Sequence, residues 1–276
     1  MSVYKNDNPI YFRQAVKSIY DEQLVKPSEI VLVKDGPLND ELYEEIFKLK
    51  DRLGEVLKVI NLDKNMGLGI ALSKGLIECT NELVARMDSD DISVPNRFKD
   101  QIDIFVNNPG LCILGGNIAE FMEEKNNIVG TRNVYQSDLE IKKDMKYRCA
   151  LNHVTVMFKK SKIIEIGNYL DWFCNEDYYL WIRALQNDLV FKNLDKVLVY
   201  VRVGIEMYGR RGGIKYFYNE VRLQKYMLNT KIISMREYIK NVSIRFVVQV
   251  ILPSRIRRFI YIRFLREKSL GYNNDK

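Results

Sequence analysis

The sequence contains a single histidine, His153, and only four cysteines. The cysteines lie more than 20 residues apart without any CxxC pair, at Cys79, Cys112, Cys149 and Cys174. Structural zinc sites of the cysteine and histidine type need such pairs, so this class of site is excluded. Scattered cysteines are typical of a reducing compartment, where they pack as small apolar groups.

Long apolar runs are absent as well. No stretch reaches the roughly 18 consecutive apolar residues of a membrane-spanning helix, and residues 1–9 hold no apolar run like that of a signal peptide. We therefore expect a cytoplasmic protein. With 47% apolar residues and only six prolines in 276 residues, the composition excludes disordered and low-complexity proteins.

Positive charge is confined to the last quarter of the chain. The formal net charge is +7, but residues 1–200 carry 26 basic and 31 acidic residues. Residues 201–276 carry 17 basic and 5 acidic residues. This division predicts an acidic-to-neutral body followed by a cationic region that favours an anionic partner.

Residues 1–110 alternate between short apolar runs and amphipathic segments. The apolar runs predict strands at 2–4, 29–34, 57–62 and 83–87. The other segments predict helices at 9–20, 39–52, 68–79 and 95–106, the first with Pro9 at its first position. This alternation predicts an α/β fold with a doubly wound, mostly parallel sheet and flanking helices. Such sheets bind ligands at the carboxyl ends of their strands.

The second half follows a different pattern. Strand-like runs occur at 111–121, 128–133, 154–158 and 196–203, without long helices in most of the intervals. Residues 176–186 predict an amphipathic helix. From Met207 onward the chain is basic and aromatic and is predicted to be helical, with a glycine-rich hinge at 209–213. The sequence therefore predicts a mixed α/β second half and a basic helical C-terminal region.

The clearest candidate site is the segment 86–91, Arg-Met-Asp-Ser-Asp-Asp, at the end of a predicted strand. Its three carboxylates, on Asp88, Asp90 and Asp91, repel one another unless a cation lies among them. Mg²⁺ and Mn²⁺ favour such oxygen ligands and complete their coordination with water and substrate phosphates. The alternative is a solvated acidic turn that caps the next helix.

Two other strand ends carry weaker signals. Asp35, which precedes Gly36, can accept hydrogen bonds from a nucleobase or ribose, or it can belong to an ordinary turn. Asn65 and Gly67 open the third helix, where glycine allows the backbone to approach a ligand closely. Neither the GxGxxG dinucleotide fingerprint after the first strand nor the GxxxxGK[ST] phosphate loop is present.

Glu176 and Asp177 begin the predicted helix 176–186. The helix dipole stabilises a carboxylate there, and such a group can act as a general base toward a hydroxyl. Simple N-capping is the alternative. His153, at the entrance of a predicted strand, can contact a substrate or serve as a packing residue. No serine or cysteine has a recognisable set of partners, so covalent hydrolase chemistry is not indicated.

Six segments, in this order and spacing, resemble family-2 glycosyltransferases with the GT-A fold. They are MSVYKND (1–7), IVLVKDGP (30–37), NMGLGIALSKG (65–75), RMDSDDISVPNR (86–97), HVTVMFKKS (153–161) and NEDYYLWIR (175–183). The most similar subgroup assembles amylovoran, capsules and other bacterial surface polysaccharides. The resemblance implies a Rossmann-like, mostly parallel sheet and transfer of a sugar from a nucleoside-diphosphate sugar, a UDP-sugar as first choice. The implied acceptor is a hydroxyl of a lipid-linked or growing polysaccharide.

The resemblance also implies roles for individual residues. It implies Mn²⁺ or Mg²⁺ at Asp90 and Asp91 and a catalytic base at Asp177, next to Glu176. The nucleotide-sugar site is expected at Ser2, Val3, Tyr4, Asp35, Asn65, Gly67, Arg86, Asp88 and Ser89. Contacts to the acceptor or the diphosphate are expected from His153, Arg97 and Trp181. Direct attack by a hydroxyl that Asp177 deprotonates would invert the anomeric carbon without a covalent intermediate.

We expect a catalytic domain at 1–205, with a nucleotide-binding half at 1–110 and an acceptor-binding half at 111–205. A basic helical region follows at 206–276. Basic and apolar residues alternate within 241–270, as in helices that lie in a membrane interface. This predicts peripheral binding to anionic lipid at the inner face of the cell membrane, whereas a helical face packed on the catalytic domain is the alternative. No nucleic-acid partner is expected, because no nucleic-acid-binding fold accompanies the charge.

Two other functions stay open on the sequence alone. Asp88-Ser89-Asp90 superficially matches the nucleophile motif of haloacid-dehalogenase-like phosphatases, although that class carries the motif after its first strand. The basic region by itself would suit a non-enzymatic module that binds anionic membranes or nucleic acid.

Overall fold

A computed structural model describes residues 1–204, 212–253 and 256–257 of the chain. Its first half alternates strands and helices as predicted. The strands are β1 (Ser2–Val3), β2 (Ile30–Lys34), β3 (Leu57–Asn61), β4 (Leu83–Ala85) and β5 (Ile92–Ser93). The helices are α1 (Pro9–Tyr20), α2 (Asp40–Leu53), α3 (Leu68–Glu78) and α4 (Arg97–Asn107). Only β5 has no counterpart among the predicted elements.

The first three strands form a parallel sheet with β2 in the middle. Residues 30–33 of β2 are apolar and buried, as expected of a strand that is covered on both faces. Ahead of this strand, α1 begins where the sequence predicts. Asn8 caps it by accepting hydrogen bonds from the backbone N–H groups of Ile10 and Tyr11, and Pro9 occupies its first position.

A second sheet of six strands contains β4 and β5 together with the strands of the second half. These are β6 (Ile113–Phe121), β7 (Ile128–Arg132), β8 (Met157–Lys159) and β9 (Phe191–Arg202). The strand order is β4-β8-β6-β9-β5, and β7 also pairs with β6. Only β6 and β9 pair in parallel. The α/β class is confirmed, but β4 pairs antiparallel with β8 and does not extend the parallel sheet.

A short β1 accounts for the position of β4. Ser2 and Val3 pair with β2, and Met1 forms backbone hydrogen bonds with Val31 and Val33, so β1 offers little backbone for a further strand. An apolar cavity of about 330 Å³, lined by Met1, Val31 and Val84 among others, separates β2 from β4. The predicted strand at 83–87 is consequently only three residues long.

The helices of the second half surround the second sheet. They are α5 (Asp138–Asp144), α6 (Lys160–Glu165), α7 (Glu176–Gln186), α8 (Ile214–Asn229) and α9 (Met235–Phe246), and α9 continues into a π-helical turn at Val247–Ile251. The short helices α5 and α6 have no predicted counterpart. The helical C-terminal region is confirmed for 214–251, whereas 209–211 of the predicted hinge and 258–276 lie outside the described residues. In the described part of the chain, no helix is both long and apolar enough to cross a membrane.

Two hydrophobic clusters form the core. One contains Leu32, Phe98 and Leu114 and joins the parallel sheet to β6. The other surrounds α7 and contains Ile113 and Leu223. Consecutive residues of β6 enter different clusters because side chains alternate between the two faces of a strand. Since Leu223 belongs to α8, the C-terminal helices share a core with the second sheet.

Gly116 lets β6 pack closely against β9, which leads to a prediction for stability. A Cβ atom at Gly116 would lie 2.6 Å from Cδ1 of the buried Leu198 and 3.2 Å from the carbonyl oxygen of Lys196. We expect Gly116→Ala to destabilise the fold by about 1–3 kcal/mol through overpacking, measured as a lower midpoint of thermal unfolding. The matched control is Gly110→Ala, because no atom lies within 4 Å of a Cβ there. Equal midpoints for the two variants would contradict this packing.

Candidate active site

Asp35 follows β2 and fixes the turn that leads into α3. Its carboxylate is 4% exposed and accepts hydrogen bonds from the backbone N–H groups of Met66 at 2.6 Å and Gly67 at 3.0 Å. Gly36 has a φ of +86°, and a Cβ there would lie 2.5 Å from the backbone nitrogen of Asn65. The structure therefore brings the predicted residues Asp35, Asn65 and Gly67 together at one sheet edge.

The residues of β1 contribute unequally to that edge. Val3 is 1% exposed and lies in the core, and its carbonyl oxygen accepts the backbone N–H of Asp35 at 2.8 Å. We therefore correct the expectation that Val3 contacts a nucleotide. Its side chain packs in the core, and its carbonyl oxygen already accepts a hydrogen bond from Asp35. Ser2 is half-buried. Tyr4, at the end of the strand, is 36% exposed.

Arg86 and Asp88 form a buried ion pair at the turn after β4. The guanidinium donates two hydrogen bonds to the carboxylate, one from each terminal nitrogen. The Arg86 side chain is 5% exposed, whereas that of Asp88 is 37% exposed. Such a two-pronged pair is among the strongest polar contacts in proteins. It orients Asp88 while leaving part of its carboxylate accessible.

Asp7 adds a carboxylate that the sequence analysis did not select. Ser89 donates a hydrogen bond from Oγ to Asp7 Oδ2 at 2.8 Å, and the backbone N–H of Tyr4 donates to the same oxygen at 3.2 Å. Burial raises the pKa of Asp7 to about 6, although both hydrogen bonds oppose the rise. Asp7 follows β1, so the rule that selected Asp35 after β2 could have found it.

Asp90 and Asp91 occupy opposite sides of the same turn. Asp90 is exposed, yet the protein around it displaces water from its carboxylate. This desolvation, with the negative charges of Asp88 and Asp7, raises the pKa of Asp90 to about 6. Asp91 is 2% exposed, and burial followed by the charges of Asp88 and Asp90 raises its pKa well above the usual range. The turn therefore holds more negative charge than nearby arginine neutralises.

Arg202, the last residue of β9, stabilises this turn. Its backbone N–H donates to Asp91 Oδ1 at 2.8 Å. Its guanidinium lies 3.7 Å from the ring centre of Tyr11 and 4.6 Å from that of Phe121. The same group donates hydrogen bonds to the carbonyl oxygens of Asp90 and Glu123 and to the side chain of Gln14. Arg202 thus links α1, β6 and the aspartate turn, a role that the sequence did not indicate.

Glu176 and Asp177 lie at the first turn of α7, as predicted. Burial, followed by the charge of Asp177, raises the pKa of Glu176 to about 7. Burial also raises the pKa of Asp177, against a 2.7 Å hydrogen bond from the Tyr178 N–H and the charges of Arg86 and Arg132. The charge of Arg86 lowers the pKa of both carboxylates and that of Asp88 raises the pKa of Glu176, so the charges of the aspartate turn act on the start of α7.

Glycine brings the two halves of the site into contact. A Cβ at Gly69, in the first turn of α3, would lie 2.9 Å from the carbonyl oxygen of Leu170 and 3.2 Å from Cβ of Glu176. Only a residue without a side chain allows α3 to approach this closely. The turn at 65–67 therefore lies beside the start of α7.

His153 lies at the inner wall of the site. Its Nε2 atom is 2.9 Å from the hydroxyl oxygen of Tyr169. Burial and the charge of Arg86 lower the pKa of His153 well below its usual range, so the ring is neutral at physiological pH. A neutral ring can form hydrogen bonds with a substrate but cannot neutralise a diphosphate.

Arg97 and Trp181 lie behind the site, which corrects their predicted contact with substrate. Both side chains are fully buried. Arg97 donates hydrogen bonds to the carbonyl oxygens of Arg86 at 2.8 Å and Val156 at 3.4 Å, and burial lowers its pKa to about 9. The Trp181 ring packs edge-on against His153 with a centroid distance of 6.1 Å. Both residues support the wall from the core.

The aspartate turn suits a cation that arrives with a phosphate group. Within residues 1–204, 212–253 and 256–257, no group of three or more acidic, histidine or cysteine side chains could hold a metal ion by itself. Mg²⁺-type sites, however, often use one or two carboxylates and complete the coordination with substrate phosphates. The exposed carboxylate of Asp90 fits that kind of site, and Asp91, which is 2% exposed, lies next to it in the chain.

Comparisons with known proteins agree with this arrangement. The family model for "Glycosyl transferase family 2" matches residues 1–166. An Escherichia coli relative, UDP-Gal:alpha-D-GlcNAc-diphosphoundecaprenol beta-1,3-galactosyltransferase, is 36% identical over 96% of this chain and 95% of its own length. The amylovoran biosynthesis glycosyltransferase AmsE of Erwinia amylovora is 33% identical over 95% of this chain and 96% of its own.

Solved structures confirm the fold. TarS 1–349 of S. aureus, crystallised with UDP-GlcNAc, superposes with a TM-score of 0.65 at 17% identity, covering 89% of this chain and 72% of that one. At this identity the likeness shows the GT-A fold alone. The family match and the two relatives favour neither a phosphatase nor a non-enzymatic binding module. We conclude that the chain belongs to glycosyltransferase family 2 and is a glycosyltransferase with the GT-A fold.

Proposed function

We propose that the protein transfers a sugar from a UDP-sugar to a hydroxyl of a lipid-linked saccharide, with inversion of the anomeric carbon. The observation that carries this proposal is the pairing of two acidic groups in one site. The first, at Asp88–Asp91, lacks sufficient counter-charge, and the second, Glu176 with Asp177, has raised pKa values. The first group suits the binding of a cation together with the donor diphosphate. The second group suits a base that accepts a proton from the acceptor hydroxyl.

The donor nucleotide would bind along the carboxyl edge of the parallel sheet, in the half formed by residues 1–110. Asp35 holds the turn at 65–67, and Tyr4 presents an exposed ring beside it. Asp88, oriented by Arg86, offers its accessible oxygens to the ribose. The 36% identical galactosyltransferase of Escherichia coli, whose name gives UDP-Gal as its donor, supports a UDP-sugar.

Mn²⁺ or Mg²⁺ would be held at Asp90, the exposed carboxylate of the turn. When bound, the cation would stabilise the negative charge that develops on the departing nucleoside diphosphate. Asp91 would contribute through the oxygen that the Arg202 N–H leaves free. The guanidinium of Arg202 keeps the backbone of the turn in place through the Asp90 carbonyl.

Asp177 would act as the catalytic base for the acceptor hydroxyl. Burial raises its pKa, which makes the carboxylate a stronger proton acceptor at neutral pH. The Tyr178 N–H holds one carboxylate oxygen, and the Cys149 thiol donates to the other at 3.8 Å. Glu176, beside it, and the neutral His153 would contact the acceptor or the diphosphate. A single displacement then inverts the sugar without a nucleophilic side chain.

The acceptor would be a lipid-linked saccharide of a surface polysaccharide such as an exopolysaccharide or capsule. The names of two relatives support this, since one acts on a diphosphoundecaprenol-linked sugar and the other serves amylovoran biosynthesis. Residues 111–205 would form the acceptor-binding half. A lipid-linked acceptor requires the enzyme to work at the inner face of the membrane, and we propose peripheral attachment there through the basic C-terminal region, with no role for nucleic acid.

Asp90→Asn tests the cation site. The change removes one negative charge with little change in shape, so we expect turnover to fall by about 100-fold or more and Mn²⁺-dependent UDP binding to disappear. Isothermal titration of UDP with and without Mn²⁺ measures the second effect. Asp51→Asn, on the exposed face of α2, is the control and should bind as wild type does. Undiminished Mn²⁺-dependent binding in Asp90→Asn would reject the assignment.

Asp177→Asn tests the base. We expect turnover to fall by roughly 100-fold or more while UDP-sugar affinity stays unchanged. In the wild type, kcat/KM should fall as pH drops through the pKa of Asp177, which burial places above that of an ordinary aspartate, because only the ionised carboxylate accepts a proton. Asp188→Asn, beyond the other end of α7, is the control. A kcat/KM that stays constant down to pH 4 would argue against Asp177.

Arg202→Met tests whether the Arg202 guanidinium stabilises the aspartate turn. The backbone N–H to Asp91 remains, but the hydrogen bonds to the Asp90 and Glu123 carbonyls are lost. We expect Mn²⁺ affinity in the presence of UDP to fall by about 10-fold, as for other residues that support metal ligands. Titration calorimetry measures this directly. The control is Arg148→Met, which removes only a surface ion pair with Asp144; an Arg202→Met protein with the same Mn²⁺ affinity as this control would contradict the proposed role.

A further inference from the structure

The segment formed by α9 and the π-helical turn buries two polar residues and exposes several large apolar ones. Its buried residues are Asn241 and Gln249, which are 2% and 6% exposed. Its large apolar side chains at Met235, Ile239, Ile244, Phe246, Val247 and Ile251 are 42–58% exposed. A helix whose outer face meets water has the opposite arrangement. We call these six residues the apolar surface of α9.

Specific polar contacts fix this orientation. The Asn241 side chain donates hydrogen bonds to the carbonyl oxygen of Lys146 at 2.8 Å and to Gln224 Oε1 at 2.9 Å. Arg245 Nε donates to Glu220 Oε2 at 2.7 Å, and both side chains are largely buried. Rotating α9 to bury its apolar side would leave these groups without partners, at considerable cost. The outward apolar surface is therefore a stable feature of the fold.

The C-terminal region that contains the apolar surface of α9 is rich in basic residues. Residues 212–253 contain seven basic residues and two acidic ones, Glu220 and Glu237. Glu220 is neutralised by Arg245, and Glu237 is engaged in the cap of α9 through Ser234. On α9 itself, Arg236 and Lys240 are exposed among the apolar residues. Residues 254–276 add a further seven basic residues against two acidic ones.

The neighbouring helix connects this region to the active site. Phe217 of α8 packs on Phe246 of α9 with a ring-centroid distance of 5.5 Å. On the same helix, the Lys215 ammonium lies 4.5 Å from the Phe173 ring centre, and the Arg222 guanidinium 4.0 Å from that of Trp172. Residues 172 and 173 shortly precede the carboxylates of α7. The apolar surface therefore lies one helix away from the loop that precedes the proposed base.

We propose that the apolar surface of α9 inserts into the interface of an anionic phospholipid bilayer, with Arg236 and Lys240 contacting lipid headgroups. Interfacial helices combine an apolar face of this kind with basic residues, and anionic lipid attracts the latter. The segment lies in the bilayer surface without crossing it. The proposal deepens the proposed function and rests on it in one respect. The lipid-linked acceptor gives the reason for binding a membrane, whereas the structure of α9 identifies the surface that binds it.

Electrostatic repulsion makes a second copy of the chain a less favourable partner for the apolar surface of α9 than an anionic lipid bilayer. A twofold dimer would bring the same surface against itself, so Arg236 and Lys240 would face like charges. The other candidate is the chain's own residues 258–276, but their five basic residues against two acidic ones would again add like charge. An anionic bilayer satisfies both the apolar and the basic groups.

Vesicle flotation with the full chain tests the proposal. We expect the wild type to float with vesicles of phosphatidylglycerol in phosphatidylcholine, less with phosphatidylcholine alone, and less as salt rises. The double variant Ile239→Asn/Ile251→Asn should lower vesicle partitioning by about 10-fold or more, because two apolar side chains no longer leave water. The control is Phe47→Asn/Val106→Asn, which alters residues that are 74% and 70% exposed on α2 and α4, and it should float as wild type does.

Three results would overturn the proposal. One is equal flotation of the wild type and the Ile239→Asn/Ile251→Asn variant. Another is a wild-type dimer in sedimentation velocity that this variant loses, which would assign the surface to a second copy. The third is a large drop in thermal stability with unchanged flotation, which would assign it to the chain's own C-terminal residues. Failure of the enzyme proposal is separately visible, because Asp177→Asn should still float and Ile239→Asn/Ile251→Asn should still bind UDP.

Discussion

Repulsion among carboxylates at the turn after β4 is the constraint on which the arrangement of the site depends. Burial, together with the charge of Asp88, raises the pKa of Asp7, Asp90 and Asp91, and among the described contacts of these four carboxylates only Asp88 forms an ion pair. Ser89 and Arg202 hold two of the others through hydrogen bonds. Under the proposed function, a bound cation would relieve this repulsion.

The sequence predicted the local elements of the first half well, because apolar runs and helix caps act over a few residues. Asn8 with Pro9 and the continuous apolar run of β2 are examples. Strand pairing was predicted less well, since it depends on residues far apart in the chain. β4 pairs with β8, more than 70 residues later, because β1 is too short to hold it. No periodicity within residues 83–87 contains that information.

The candidate site shows the same division. Residues at a strand or helix end could be proposed as site residues from the sequence alone, as with Asp35, Asp90 and Asp177, and the structure places them at such ends. Arg202 was missed because its role depends on carbonyl oxygens and rings that tertiary packing brings together. The resemblance implied substrate contact for Trp181, and α7 was predicted to be amphipathic, whereas residues 180–184 are all buried. The fraction of a helix that is covered cannot be derived from its own sequence when neighbours cover both sides.

The two charged regions of the protein require different surroundings, which explains why they occupy separate parts of one chain. The donor diphosphate is a polyanion dissolved in water, and a site for it must be open to solvent and to cations. A lipid-linked acceptor presents its sugar at a bilayer surface, where basic and apolar side chains bind together. Arg86 already pairs with Asp88, and a further basic residue among the aspartates would neutralise charge that a bound cation would need. Lys215 and Arg222 instead contact the rings of Phe173 and Trp172, so the basic helix α8 adjoins the loop that precedes α7.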